Sequence, residues 1–434
     1  MKLRIFQANK GDCILLTSSD GKNILADGGM TGSFEDFAAP ALHELRNAGE
    51  VLDVVYVSHV DEDHIGGILR LVDHVFDWKV YHLHHDAGDT EFKKPGSLEP
   101  PEVKQIWHNA FHEIVGDNEG PIEDILAANA PLLSMLKSSW APDVAELSAR
   151  LATSMRQAVQ LSKRVSPSQL GIPLNPPYNG HLMYTADPIV TIQIGSFSIQ
   201  VIAPFEDDLD KLRSDWNKWL KKQATQEQLE KIKDEARRDA DLLKMSEFDR
   251  ITRVIGLEAS HLGDKSDVTP PNLASIMLLV EDNGRRALMT GDGHYEAILA
   301  GLETAGVLNS DGCVHVDVFK VPHHGSPHNS HPDLCRQVTA DHYLFCGNGF
   351  KDNPDLDVIQ AFIDSRMGSG SALSKNPEAG NKFTMWFNSR ESVATYGDHM
   401  KAVEKAVKKA AAKSNGQITY HFLESGSFPP LELD

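Results

Sequence analysis

The sequence predicts a mixed α/β fold, and three observations carry that prediction. A Val-rich apolar run, Val51–Val57, has the short length of a buried strand. After a polar stretch it gives way to an apolar segment, Ile65–Val75, opened by Gly66-Gly67, that reads as a helix. Three strand-like runs, Lys2–Ala8, Cys13–Ser18 and Lys22–Ala26, precede it as a meander, and Ile189–Ile194 with Phe197–Ala203 alternate apolar and polar residues around Gly195-Ser196, the pattern of a β-hairpin. Strands and helices interleaved along one chain exclude an all-α or all-β architecture.

Taken in order, the elements are as follows. Phe34–Asn47 reads as a helix between the meander and Val51–Val57. Lys79–His85 reads as another strand, with His82 and His84 on one face and His85 on the other; these imidazoles are assigned to the strand surface or core. From about Gly88 to Tyr184 the pattern turns helical, with apolar residues at helical spacing in Glu102–Ile114, Pro121–Lys137 and Pro142–Val165, before several prolines in Ser166–Pro177 break it. Residues 88–184 therefore read as a helical insertion, serving as extra packing or as a lid, in a domain made of 1–87 and 185–434. Phe205–Ile251 is a highly charged helical stretch whose default is a solvated arm. A nucleic-acid contact through Trp216, Trp219, Lys221 and Lys222 is the alternative. Met400–Lys413 reads as a Lys- and Ala-rich surface helix and Gln417–Leu423 as a last strand.

Composition narrows the partners. With 41% hydrophobic residues the chain can fill a large core, and no apolar stretch approaches the roughly 18 residues that span a bilayer. Met1–Ala8 reads as a strand, lacking the apolar region and cleavage site of a secretory signal. Four cysteines (Cys13, Cys313, Cys335, Cys346) include no C-x-x-C pair, so reduced thiols in the cytoplasm are the simplest expectation. The formal charge of −20 repels phosphate backbones at long range, so any nucleic-acid contact has to rest on a local basic groove.

The most informative stretch is Ser58-His59-Val60-Asp61-Glu62-Asp63-His64-Ile65-Gly66-Gly67. It places two imidazoles and two carboxylates in a strand-to-helix turn. Carboxylates so close repel one another unless a cation joins them. The spacing resembles the H-x-H-x-D-H signature of the metallo-β-lactamase superfamily, with Asp61 in place of the second histidine. That variant resembles the metallo-β-lactamase-like domain of the bacterial competence DNA-uptake channel proteins. Further motifs follow in the same order as in that group. They are Gly11-Asp12-Cys13-Ile14, Ala26-Asp27-Gly28-Gly29, Asn272-Leu273-Ala274-Ser275, Met289-Thr290-Gly291-Asp292 and Phe319-Lys320-Val321-Pro322-His323-His324-Gly325-Ser326. Two departures stand out. Asn348-Gly-Phe-Lys-Asp-Asn-Pro354 takes the place of an Asn...Gly-His-Pro element, with Asn353 where a histidine is expected. The mid-chain histidine of other members has no clear counterpart, His261 and Asn272 being the nearest.

The resemblance implies a four-layer αββα metallo-β-lactamase sandwich with a helical insertion, acting as a hydrolase with two divalent metal ions, Zn or Mn. It implies His59 and Asp61 on the first metal, Asp63 and His64 on the second, Asp292 bridging and His323 as a further ligand. His324 would contact substrate or nucleophile, and Asp63 would also accept a proton from the attacking water. A metal-bridging hydroxide would be the nucleophile. The carboxylate at position 61 suits Mn²⁺ or Mg²⁺ better than imidazole does, and zinc accepts both. The implied substrate is a phosphodiester, as in a nuclease or nucleotide phosphodiesterase, with single-stranded nucleic acid a candidate partner and no membrane involved. A small lactone, thioester or amide, a non-catalytic metal-binding regulatory module and a redox di-iron role stay open as alternatives.

Overall fold

The computed structural model describes residues 1–109, 157–207 apart from 159, 163 and 168, residue 209, and 275–433. The meander forms as read: β1 (Lys2–Ile5), β2 (Ile14–Thr17) and β3 (Asn23–Ala26) pair antiparallel. β4 (Val54–Tyr56) then joins β3 in parallel, and β5 (Ile106–Trp107) joins β4. The hairpin β6 (Thr191–Ile194) and β7 (Phe197–Ala203) opens a second sheet that continues through β8 (Met277–Asp282) and β9 (Arg285–Met289). Between β8 and β9, Asn283 and Gly284 both have positive φ (52° and 78°), the tight Asn-Gly hairpin turn that matches strand twist. β10 (Val314–Lys320), β11 (Val338–Phe345), β12 (Phe383–Phe387) and β13 (Ile418–Phe422) extend this sheet in parallel. β14 (Leu431–Glu432) returns to the free side of β1.

Side-chain alternation explains the layering. Ile14 and Leu16 of β2 point at the second sheet, where Ile24, Tyr56, Phe197, Ile199, Leu278 and Met289 share one buried cluster. Leu15, between them, faces outward with Leu25 and Val55, against α1 (Ala39–Asn47) and α2 (Glu62–Asp86). The outer face of the second sheet is covered by α3 (Tyr295–Thr304), α4 (Pro332–Gln337), α5 (Leu356–Met367) and α6 (Gly397–Lys413), through Ile298, Leu334, Phe362 and Val403 among others. The result is the expected four-layer αββα order. No helix among the described residues is long and apolar enough to cross a membrane.

Two local expectations fail. Lys79–His85 is not a strand; it continues α2, and His82, His84 and His85 are exposed. Among the described residues no sheet edge pairs with it, so the chain satisfies its backbone groups internally, even though this leaves Leu83 62% exposed. Conversely, Glu102–Ile114 is not helical where described. Val103 bridges to Leu52, and Ile106 and Trp107 pair with Val55 and Tyr56. The open side of β4 gains a partner, and Trp107 is fully buried. Residues 157–165, within Pro142–Val165, are helical where described. Pro121–Lys137, His261, Asn272 and nearly all of Phe205–Ile251, including Trp216, Trp219, Lys221 and Lys222, lie outside the described residues.

The topology brings several strand ends to one edge. β4 leads to His59, β9 to Asp292, β10 to His323 and β11 to Asn348, while Asp12 immediately precedes the antiparallel β2. The sheets are stitched together there. Ser58 accepts a backbone hydrogen bond from Ile276 (2.8 Å), and the Tyr56 hydroxyl donates to the Ile276 carbonyl.

Candidate metal centre

The first half of the site depends on close backbone approach. The Gly28 amide donates to the His64 carbonyl (2.8 Å) and the Gly67 amide to the Gly29 carbonyl (2.9 Å). A Cβ on Gly67 would lie 2.1 Å from the Gly28 oxygen, so only glycine lets the start of α2 settle onto this turn. Asp61 is the residue that caps α2, and it is buried; its carbonyl accepts from His64 and Ile65. Asp63 follows in the first turn, where the helix dipole favours a carboxylate.

Four imidazoles surround Asp292, and each has its Nδ1 occupied. His64 Nδ1 lies 2.9 Å from Asp27 Oδ2, and His324 Nδ1 lies 2.6 Å from the Cys346 carbonyl. Both partners accept only, so both Nδ1 atoms donate. His323 Nδ1 meets Asn329 Oδ1 at 2.7 Å, and the Asn329 amide donates to the Asp292 carbonyl (2.9 Å), which fixes its orientation. His59 Nδ1 lies 3.1 Å from Ser58 Oγ, whose proton goes to Asp27 (2.7 Å). The hydrogen-bond network therefore places a proton on Nδ1 of each ring and turns the four Nε2 atoms inward, where each offers a lone pair whenever its ring is neutral.

Those four atoms converge on one carboxylate. Nε2 lies 3.6 Å from Asp292 for His59, 3.3 Å for His64, 3.6 Å for His323 and 3.5 Å for His324. His324 Nε2 is also 3.6 Å from Asp63 Oδ2. Nε2 of His59, His64 and His324 and Oδ1 of Asp292 are buried with no hydrogen-bond partner. Each such atom costs about 1–3 kcal/mol when nothing satisfies it. Four together, all lone-pair donors, fit a divalent cation. His and Asp donors suit Zn²⁺ and Mn²⁺ alike.

The electrostatics agree. Burial opposes charge on His64 and His324, yet Asp292 with Asp27 and Asp12 holds His64 well above the usual imidazole range. Asp292 with Asp12 and Asp63 raises His324 to about 9. Burial, helped by a neighbouring imidazole, lowers His59 and His323. Against its own burial, Asp292 is held well below the ordinary carboxylate range by His324, His323, His64 and His59. The centre stabilises positive charge, which a metal supplies.

Among the described residues, two groups of ligand atoms lie within 4.8 Å of one another: His59, His64 and Asp292, and Asp12, His64 and His324. The second is the poorer cation site. Asp12 reaches the two rings from their Nδ1 sides (3.8 and 3.4 Å), which Asp27 and Cys346 already engage, and Asp12 itself contacts the Lys320 ammonium. Lys320 is 1% exposed, donates to the Gly291 carbonyl (2.7 Å) and lies 3.8 Å from Asp292. Neither Asp12 nor Lys320 stands out by type or spacing as a site residue. The usable signal was a lysine between apolar residues, in Val318-Phe319-Lys320-Val321, which has to find a buried anion.

The six expected metal-site residues thus lie at one edge of the sandwich. His59, His64 and Asp292 are tightest, His324 and Asp63 lie beside them, and Asp61 sits at the base of α2. His323 is the more open of the histidine pair, with its side chain 20% exposed against 9% for His324. Both adopt positive φ (45° and 56°), a backbone strain that costs about 1–3 kcal/mol each and concentrates at functional sites. Above them opens a small cavity of about 30 Å³, lined by Asp63, Asp292, His323 and His324 together with Lys10, Asn348, Phe350, Lys351 and Asn353.

Comparison with known proteins bears on the first half of this site. No curated protein matches the chain. Residues 8–126, which carry Asp12, Asp27 and the whole of His59–His64, match the family model of the metallo-beta-lactamase superfamily, and the two sheets with their outer helices give the chain the metallo-β-lactamase fold.

Proposed function

We propose that this protein is a hydrolase with two divalent metal ions, acting on phosphodiesters. The observation that carries the reading is the convergence of four inward-facing Nε2 atoms on Asp292, beside Asp63, on the floor of an open cavity. We assign His59 and Asp61 to one ion, Asp63 and His64 to the other, and Asp292 between them. His324, the deeper imidazole, whose Nε2 has no hydrogen-bond partner, joins the ligands, and the more open His323 faces substrate; this reverses the split that the resemblance implied. Bound divalent cations bring the pKa of water from 15.7 to about 7 and stabilise charge developing on a phosphoryl oxygen. Asp63 lines the cavity and stands ready to take the proton of the attacking water, so no serine or cysteine nucleophile is needed. The four cysteines suit that, being buried. The two rim lysines favour an anionic substrate over a neutral one.

A second reading, hydrolysis of a small ester, lactone or amide, is favoured by the net charge of −20, which discourages long polyanions. One experiment addresses both. Purified protein is given bis-p-nitrophenyl phosphate, single-stranded DNA and p-nitrophenyl acetate, with Mn²⁺, Zn²⁺ or a chelator, beside Asp63→Ala. Metal-dependent phosphodiester cleavage lost in the variant is the expected result. Cleavage of the acetate alone would move the assignment to small acyl substrates, and no bound metal would overturn both.

A further inference from the structure

We infer that Lys10, Phe350 and Lys351 form an anion clamp at the cavity mouth, which selects substrates that carry a phosphate group. The inference rests on the phosphodiesterase reading for its place in a reaction, but the clamp itself is argued from its geometry. Lys10 precedes β2 and belongs to the first half of the sandwich, whereas Phe350 and Lys351 lie in the turn after β11. Both ammonium groups approach the same ring, Lys10 Nζ at 5.2 Å and Lys351 Nζ at 5.7 Å from its centroid. An aromatic face attracts each cation, so one ring gathers both lysines at the cavity.

The backbone around the clamp is held against its preferences. Asn9 (φ 62°), Lys351 (φ 53°) and Asp352 (φ 59°) are all left-handed without being glycine. Such strain persists only where surrounding contacts enforce it, and it gathers at functional sites. Here the contacts are explicit. The Asn348 amide donates to Asn9 Oδ1 (2.5 Å), tying the two lysine-bearing turns together. Phe350 N donates to Asn348 Oδ1 (3.2 Å), and His399 from the first turn of α6 reaches the Pro354 carbonyl (2.9 Å) and the Asp352 carboxylate (3.5 Å). This turn is also where the sequence departs from the DNA-uptake group, with Asn353 in place of a histidine. The cavity joins the clamp directly to Asp63, Asp292, His323 and His324. Ammonium groups are point-charge binders of phosphate oxygens, so a phosphate in contact with both lysines would lie over the metal centre.

The test is binding of inorganic phosphate to the full-length, Mn²⁺-loaded protein by titration calorimetry, with metal content checked for every variant. Lys10→Gln and Lys351→Gln are each expected to weaken binding about tenfold, and Lys10→Arg to retain it within about threefold. The dependence of affinity on salt should flatten in the double Gln variant. Unchanged affinity in that double variant overturns the clamp, as does a wild-type protein that binds no phosphate. Lysine-dependent phosphate binding in a protein that cleaves no phosphodiester supports the clamp and counts against the proposed reaction, so the two failures are distinguishable.

Discussion

The N-terminal sheet delivers its expected metal ligands from one short run, His59–His64, whereas the C-terminal sheet delivers Asp292, His323 and His324 from the ends of two neighbouring strands. Charge is divided as unevenly as sequence. The first half contributes Asp12, Asp27, Asp61 and Asp63 to the buried site; the second contributes Asp292 and the cation Lys320. An anionic half thus meets a half that carries its own counter-charge, and Lys320 crosses the seam to Asp12 while Asp292 crosses it to His59 and His64. The lesson is that neither half carries the candidate ligand set alone. The candidate ligands meet only where the sheets are joined, so binding of a metal there would be coupled to folding.

The sharpest way to break the comparison is to neutralise the carboxylate that serves both halves. Asp292→Asn keeps the shape but removes the charge that four imidazoles face. Hydrolysis of bis-p-nitrophenyl phosphate should fall at least about 1,000-fold, equivalent to roughly 4 kcal/mol of transition-state stabilisation. Metal analysis should show less than the wild-type complement. Full activity in this variant would sink the two-metal mechanism.

Next in size is the pair that locks the seam. Lys320→Met leaves Asp12 buried with its main counter-charge gone, and removing one member of such a pair costs about 3–5 kcal/mol. Urea unfolding would measure it. Asp12→Asn with Lys320→Met should lose markedly less than the two single changes added together, because each single change strands the other's charge. Additive losses would mean that the two residues stabilise the site independently.

What the sequence disclosed divides along the same line. The motif His59–His64 was legible because its ligands lie within a few residues and share one turn. The strands β2, β7 and β13 were legible because one or both faces are buried and the pattern records it. Lys79–His85 misled because alternation in a short exposed segment has no core to record, and the helix simply runs on into solvent. Glu102–Trp107 misled for the opposite reason. Its strand exists to pair with β4, a requirement set by a distant part of the chain. Asp12 and Lys320 were on display within motifs already singled out, but their pairing is a contact between halves that local spacing cannot express.

The smallest effect tests the seam away from charge. Tyr56 ends β4 in the first sheet, is fully buried, and its hydroxyl donates across to the Ile276 carbonyl next to β8 in the second. Burial and the Asp27 and Asp12 charges hold its pKa well above that of an ordinary tyrosine, so it stays a donor throughout the accessible pH range. Tyr56→Phe keeps the ring in the core and leaves one buried carbonyl without its partner. Stability should fall by about 1–2 kcal/mol in urea, with no change in slope. Metal affinity should weaken as well, because Ile276 also donates to the Ser58 carbonyl, and Ser58 orients His59. A stability loss without any loss of metal affinity would show that the seam holds the sheets together but does not set the ligands, and would confine the coupling to Lys320 and Asp12.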